Sequence, residues 1–219
     1  MRFVSRLTVL FAAAALAVPS LARAGDPPVG LHAFAAIDFN SFAASKTYKA
    51  IFDSSTIPGF GGGADITGIG KNLFIRVAFT RLSKTGSRVF VNGTDVFKLN
   101  NEPAKLSLTP IEIGAGWNFL IKGSKLTPYV GGGALIEQYK VDYATSSDLN
   151  ESQTFTGGEI FGGVQYAITK VLIIGGEAQV RLLPNALKSD LASSAANAYG
   201  ETQGGGFTGR VTIGVKFGK

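Results

Sequence analysis

The sequence predicts an all-β chain closed into an eight-stranded antiparallel up-and-down transmembrane β-barrel, with short periplasmic turns and long extracellular loops. Three observations predict it: a secretory leader, a period-two alternation of apolar and polar residues behind it, and joins between strands that alternate between short and long. The last strand displays the alternation most plainly. Phe207, Gly209, Val211, Ile213, Val215 and Phe217 take every second position, and Thr208, Arg210, Thr212, Gly214 and Lys216 fill the gaps.

In the leader, Arg2 and Arg6 precede an apolar stretch from Leu7 to Val18, and Ala22-Arg23-Ala24 offers small residues where a signal peptidase reads them. Cleavage is expected between Ala24 and Gly25, making 1–24 a signal peptide and 25–219 a single outer-membrane barrel domain. The apolar stretch is well short of the ~20 residues a spanning helix needs, so a retained anchor is the weaker alternative.

The full chain carries 21 basic and 15 acidic side chains, and losing Arg2, Arg6 and Arg23 with the leader would leave a net charge of +3. No run of Lys and Arg forms a stripe for nucleic acid, so no such partner is expected. Cysteine is absent, which excludes disulfides and thiolate chemistry. Charged residues make up 16% of the chain, against ~25% in ordinary soluble domains, and an aqueous surface this poor in charge would be unusual. Behind the leader no apolar run is long enough for a spanning helix, so a membrane crossing must use strands.

Alternation places strands at 30–42, 59–68, 73–83, 106–120, 126–143, 155–168, 171–183 and 205–217. The eleven residues from Phe207 to Phe217, at ~3.3 Å each and tilted ~40°, rise about 28 Å, close to the ~25 Å apolar band of a membrane barrel. The second, fourth and sixth joins are short (Ile69 to Asn72, Ile121 to Lys125, Thr169 to Lys170) and each contains lysine; the first, third, fifth and seventh are long. An up-and-down barrel puts all short turns at one end and all long loops at the other. In the third join, Arg88 to Val91 and Thr94 to Phe97 flank Asn92-Gly93, a type I′ hairpin signal, so strands three and four are expected to continue outward as a ribbon. A ribbon that joined the wall would raise the count to ten. Residues Lys188 to Gly206, rich in Ser, Ala, Asn and Gly, read as a mobile loop.

Alternation alone does not say whether the apolar face looks out to lipid or in to a greasy cavity, as in a soluble lipid-binding barrel. The polar face favours apolar-out over that alternative. Strand seven offers Gly175, Glu177, Gln179 and Arg181, strand six Gly157, Glu159, Phe161, Gly163 and Gln165, and strand three Arg76, Ala78 and Thr80. Small residues mixed with isolated charges of both signs suit the interior of a narrow barrel, whereas an aqueous outer face would be dense in Lys and Glu. The expected lumen-facing polar network is Asp38, Asp65, Arg76, Glu112, Glu159, Glu177, Arg181 and Arg210, with Lys216 enclosed on the same face. Trp117, Phe119, Tyr129, Tyr143, Tyr166 and Phe217 are expected to form interfacial girdles.

These features, from residue 30 to 217, resemble the small outer-membrane β-barrel family that includes the OmpA- and OmpX-like eight-stranded proteins. The resemblance implies assembly by the outer-membrane insertion machinery, which reads a terminal aromatic; here that is Phe217, followed by Gly218 and Lys219. It also implies residence in the outer membrane of a Gram-negative-type bacterium, as a monomer among outer-membrane lipids and lipopolysaccharide.

No catalytic, cofactor or metal site is read from the sequence. His32, the only histidine, falls on the polar face of strand one with no recognisable Ser-His-carboxylate set. The glycine clusters at 61–63, 131–133 and 204–206 match neither a P-loop nor a dinucleotide fingerprint. Asp148, Asn150 and Glu151 lack the spacing of a calcium loop. The expected role is structural or surface-interacting with a lumen plugged by paired side chains; a narrow pore and a soluble periplasmic lipid carrier are the alternatives.

Overall fold

The structure, a computed structural model, describes residues 29–70, 72–93, 95–145, 147–187 and 192–218. The expected cleavage site at Ala24 and Gly25, and Lys71 of the first short turn, lie outside the described residues. Strands β1 (Gly30–Phe42), β2 (Thr56–Thr67), β3 (Leu73–Asn92), β4 (Asp95–Asn118), β5 (Leu126–Tyr143), β6 (Glu151–Ala167), β7 (Leu172–Leu182) and β8 (Gly206–Phe217) pair in chain order. Antiparallel pairing of β1 with β8, from Leu31 opposite Phe217 to Phe42 opposite Gly206, closes the barrel. The wall has eight strands.

The period-two pattern now reads as inside and outside. On β8, Ile213 is 53% exposed on the outer face while Arg210 is 2% exposed inside. Apolar side chains point out and polar ones in, the arrangement that hydrocarbon demands of a spanning sheet. Lys216 departs from the expectation of enclosure. It shares the inward parity but lies opposite His32 at the last turn of β8, where its long stem carries the ammonium past the rim to water.

The start of β1, the end of β8 and the described residues of the joins between β2 and β3, β4 and β5, and β6 and β7 lie at one end of the barrel. Trp117, Phe119, Tyr166 and Phe217 are exposed around that end. Tyr129 is a correction to the girdle: it has inward parity, with Gly131 and Gly133, and is buried in the lumen. Tyr143, at the opposite end of β5, is half-buried against the apolar core there.

That opposite end is more ordered than the sequence suggests. The third join is a tight turn, with Asn92 opposite Asp95 and Gly93 at φ 63°. The turn sits one residue later than an Asn92-Gly93 centre would put it, a register that pairs Val91 with Val96 and Phe90 with Phe97 and so places like side chains together on each face. The β3–β4 ribbon forms as expected and, with β5 and β6, makes one side of the wall tall. The other side is low: β7 has 11 residues, and the β2–β3 pairing stops at Gly59 opposite Leu82.

Two helices, α1 (Ser45–Phe52) in the first join and α2 (Ala192–Tyr199) in the last, fill the space inside the tall side. Helix α2 corrects the expectation of a mobile segment between Lys188 and Gly206. Alternation scans look for strands, and an Ala-rich eight-residue helix has too weak a period to stand out. Helix α1 buries Thr47, Tyr48, Ile51 and Phe52 on one face, and Phe42 stacks on Tyr48 with ring centroids 4.0 Å apart. These residues join Ile57, Leu82, Leu106, Leu108, Tyr139, Val141, Leu187, Ala195 and Ala196 in one apolar cluster. Gly86 lets α1 seat closely, because a Cβ there would stand 2.1 Å from the Ile51 carbonyl. Glu201 ties the two loops together, accepting hydrogen bonds from the backbone N–H of Lys46 (3.1 Å) and Thr47 (2.8 Å) and from the Thr47 hydroxyl (3.0 Å). A carboxylate here satisfies free donors of the first helical turn and meets the positive end of the helix dipole.

Two variants test this architecture. Ile213→Arg puts a cation near the middle of the outer apolar band and is expected to cost about 2–4 kcal/mol, read by urea unfolding from phospholipid vesicles through the single Trp117. Glu201→Ala should cost about 1 kcal/mol and expose residues 43–55 to faster limited proteolysis, with the spanning strands unaffected.

Candidate functional site

The interior is the densest collection of chemistry in the molecule, and its layers follow from strand register. Nearest the turn end, His32 Nδ1 lies 3.4 Å from Asp65 Oδ2 and 3.5 Å from Gln165 Nε2. Neither partner is a nucleophile, so the histidine reads as an interior polar contact.

Directly above, Asp65 faces Arg76 across the β2–β3 pair, and the carboxylate accepts two hydrogen bonds from the guanidinium, at 2.7 and 3.0 Å. Arg76 also donates to Glu177, whose second contact is the Tyr129 hydroxyl at 2.7 Å. Four rings enclose this guanidinium, with centroids 5.3 Å (Phe34), 5.5 Å (Phe74), 5.4 Å (Tyr129) and 4.7 Å (Phe161) from its Cζ. Aromatic faces are negatively polarised, so the rings are a compatible wall for a cation removed from water. The Phe161 ring fits because residue 131 is glycine: a Cβ there would lie 2.5 Å from it.

The next layer centres on Arg210. It donates to Asp38 at 2.7 and 2.8 Å and to Glu112 at 2.8 and 2.6 Å, a two-sided fork between two carboxylates. Thr80 donates its hydroxyl proton to Asp38 at 2.8 Å. Arg181 shares Glu112 at 2.5 Å and also donates to Asn40 Oδ1 at 2.9 Å, where the Thr208 hydroxyl donates at the same distance. Gln179 bridges the layers by donating to Glu177 at 2.7 Å and accepting from Arg181 at 3.1 Å. Bidentate arginine–carboxylate pairs are the strongest contacts of this kind, and their planar geometry fixes the angle between strands far apart in sequence.

All eight side chains expected in the lumen lie there, each 6% exposed or less, and seven join this hydrogen-bonded network. Glu159 is the exception. Neither of its oxygens has a hydrogen-bond partner among the described residues, and its nearest cation is Arg181 at 3.9 Å. The sequence reading omitted Tyr129 and Glu137. Both share the inward parity of Leu135 in β5, so alternation carried through that strand would have found them. Counting the buried described residues, six carboxylates (Asp38, Asp65, Glu112, Glu137, Glu159, Glu177) face three guanidiniums.

Above the ionic layers sits the apolar cluster of α1 and α2, and below them the Phe74, Tyr129 and Phe161 rings. A pocket between Asn40, Glu137, Arg181 and Thr208 has a volume of about 10 Å³, room for about one water. Among the described residues no group of three or more His, Asp or Glu side chains is placed to hold a metal ion. In the loop at 144–150, Asn150 accepts a hydrogen bond from the Tyr143 backbone N–H at 2.8 Å, which closes the loop.

The chain matches the family described as outer membrane protein beta-barrel domain over residues 8–190. Among solved structures it is similar to the outer membrane protein OprG from Pseudomonas aeruginosa, at 12% identity over 88% of this chain and 96% of that one, with a TM-score of 0.57. Neisserial surface protein A is similar at 18% identity over 87% and 98%, with a TM-score of 0.51. Ail, the attachment invasion locus protein of Yersinia pestis, in complex with the heparin analogue sucrose octasulfate, is similar at 12% identity over 88% and 99%, with a TM-score of 0.50. At such identities the likeness is one of fold. No curated protein matches the sequence.

Arg210 is the contact whose loss should be felt most. Arg210→Met takes two charge-assisted hydrogen bonds from each of Asp38 and Glu112, leaving Asp38 with the Thr80 hydroxyl and Glu112 with Arg181, and a loss of about 3–5 kcal/mol is expected in vesicle-refolded protein under urea.

Proposed function

Because the chain belongs to the outer membrane protein beta-barrel domain family, we propose that it is a closed outer-membrane barrel that acts through its external surface and passes no solute along its axis. The barrel sits in the outer membrane of a Gram-negative-type bacterium. The observation that carries the reading is the stack of three fillings in one lumen: aromatic rings, a cross-linked ionic layer and the helix-backed apolar cap. An eight-stranded interior is about wide enough for its own side chains, and here large ones occupy every level.

The outward-facing contact element on this reading is the β3–β4 ribbon. Near its tip Phe90 (57% exposed) and Phe97 (52% exposed) form a cross-strand aromatic pair beyond the apolar band. Exposed aromatic side chains on a projecting ribbon suit contact with another surface.

One observation favours a second reading, a narrow cation path: the interior carboxylates outnumber the guanidiniums by six to three. Planar-bilayer recording separates the two. A closed barrel gives no stable unitary conductance in the wild type. A steady cation-selective conductance, abolished or inverted by Glu112→Gln, would establish the second reading and overturn the first.

A further inference from the structure

The outer surface is not symmetric about the barrel axis. On β7, β8, β1 and β2 the outward positions carry no charge from end to end, running for example Leu172, Ile174, Gly176, Ala178, Val180 and Leu182 on β7. On the tall side the apolar band stops abruptly. Phe79 gives way to Arg81 on β3, Ile111 to Thr109 and then Ser107 and Lys105 on β4, and Ile136 to Gln138 and Lys140 on β5.

Register assembles these polar positions into a grid. Ser83, Ser107, Lys140 and Ser152 lie in one cross-strand row, and Lys105 lies opposite Thr85 on one side and Asp142 on the other. Lys140 is paired with Asp142 at 2.7 Å, whereas Arg81 and Lys105 are exposed and make no side-chain hydrogen bond or ion pair among the described residues. With three cations and one acid, this face carries a local net charge of +2.

Height decides what it meets. The ten residue steps from Leu126 to Ile136, at ~3.3 Å and tilted ~40°, rise about 25 Å, the thickness of the apolar band. Arg81, in register with Thr109, therefore stands at the upper edge of the apolar band, and Lys140 and Lys105, in the rows four and six residues beyond Ile136, stand about 10 Å above it on the side away from the short turns, in the headgroup zone of the outer leaflet. Arg81 and Lys105 lie on adjacent strands four residues apart in register, about 14 Å between Cα atoms, a gap that their long side chains can close on one phosphorylated headgroup.

The geometry points to a binding site for a phosphorylated lipid headgroup of the outer leaflet on the tall face of β3–β6, with Arg81 and Lys105 as the phosphate-binding cations and Ser107 and Ser152 of the row as hydroxyl donors, the Ser83 hydroxyl being given to the Leu106 carbonyl at 3.1 Å. Arginine offers a planar fork to phosphate oxygens and lysine a point charge, and both cations here are uncommitted. The apolar strip beneath, from Phe79 and Ile111 to Ile136, receives the acyl chains, so one ligand satisfies both halves of the face. The site deepens the surface-acting reading by naming a lipid partner.

Native mass spectrometry of the full chain released from detergent micelles tests it. The micelles are titrated with bis-phosphorylated lipid A, with the same lipid A stripped of phosphate, or with inorganic phosphate as competitor. The wild type should retain the phosphorylated lipid roughly tenfold better than the stripped one, with the preference weakening as salt rises. Arg81→Ser with Lys105→Ser should abolish that preference, Arg81→Lys should keep part of it, and Lys216→Ser, at the opposite rim, should leave it intact. Trp117 emission and resistance to unfolding in detergent confirm that each variant is folded. Equal retention of the two lipids by the wild type, or an unchanged preference in the double variant, would overturn the assignment. Displacement of the lipid by millimolar inorganic phosphate would also overturn it, since the site would then recognise the free anion. A conducting lumen would sink the closed-barrel reading and leave this result standing, so the two failures are distinguishable.

Discussion

A sheet that closes on itself in hydrocarbon leaves each side chain two destinations, and neighbours along a strand must take opposite ones. Everything else in this molecule answers to that constraint. Closure removes the sheet edge, so the pairing of β1 with β8 is what allows the backbone to cross the membrane with its hydrogen bonds satisfied. It also forces a polar, crowded interior, because half of each strand's residues are turned away from lipid whether or not there is water to receive them.

The interior resolves the crowding by pairing. Arg76, Arg181 and Arg210 each reach across the lumen to a carboxylate of a non-neighbouring strand, at separations of up to 101 residues along the chain, and Arg210 also holds Asp38 across the β1–β8 seam, 172 residues away. Buried charges carry a large desolvation cost, offset here by bidentate geometry and by the four rings around Arg76. The gain is in specificity: a slip of one residue in any strand would turn these charges into lipid, so the network and the register enforce each other. The surplus of carboxylates, with Glu159 lacking a hydrogen-bond partner among the described residues, marks the place where this accounting is least complete.

At the loop end the same constraint relaxes, since there is water on the outside. The wall rises on one side only, and α1 and α2 cover its inner face with apolar packing typical of a soluble domain. The Glu201 clamp on α1 links the first and last joins, so the cap is held by a contact that neither loop could make alone. The tall wall consequently has two faces of different character: an inner one committed to the cap, and an outer one on which Arg81 and Lys105 have no ion-pair partner among the described residues.

The strand count, the in-and-out assignment and the eight interior charges were legible in the chain because each depends on a period of two, which is local and survives without knowledge of neighbours. Val211, Ile213 and Val215 point out and Arg210 points in by parity alone. What the tertiary structure decided is non-local: that Tyr129 turns inward to Glu177, that residues 192–199 form a helix once they have α1 to pack on, and that Lys216 escapes the lumen its parity assigns it. Pattern records which face a residue prefers, but which partner it meets there depends on strands brought together only by closure, and that information is absent from any local stretch of sequence.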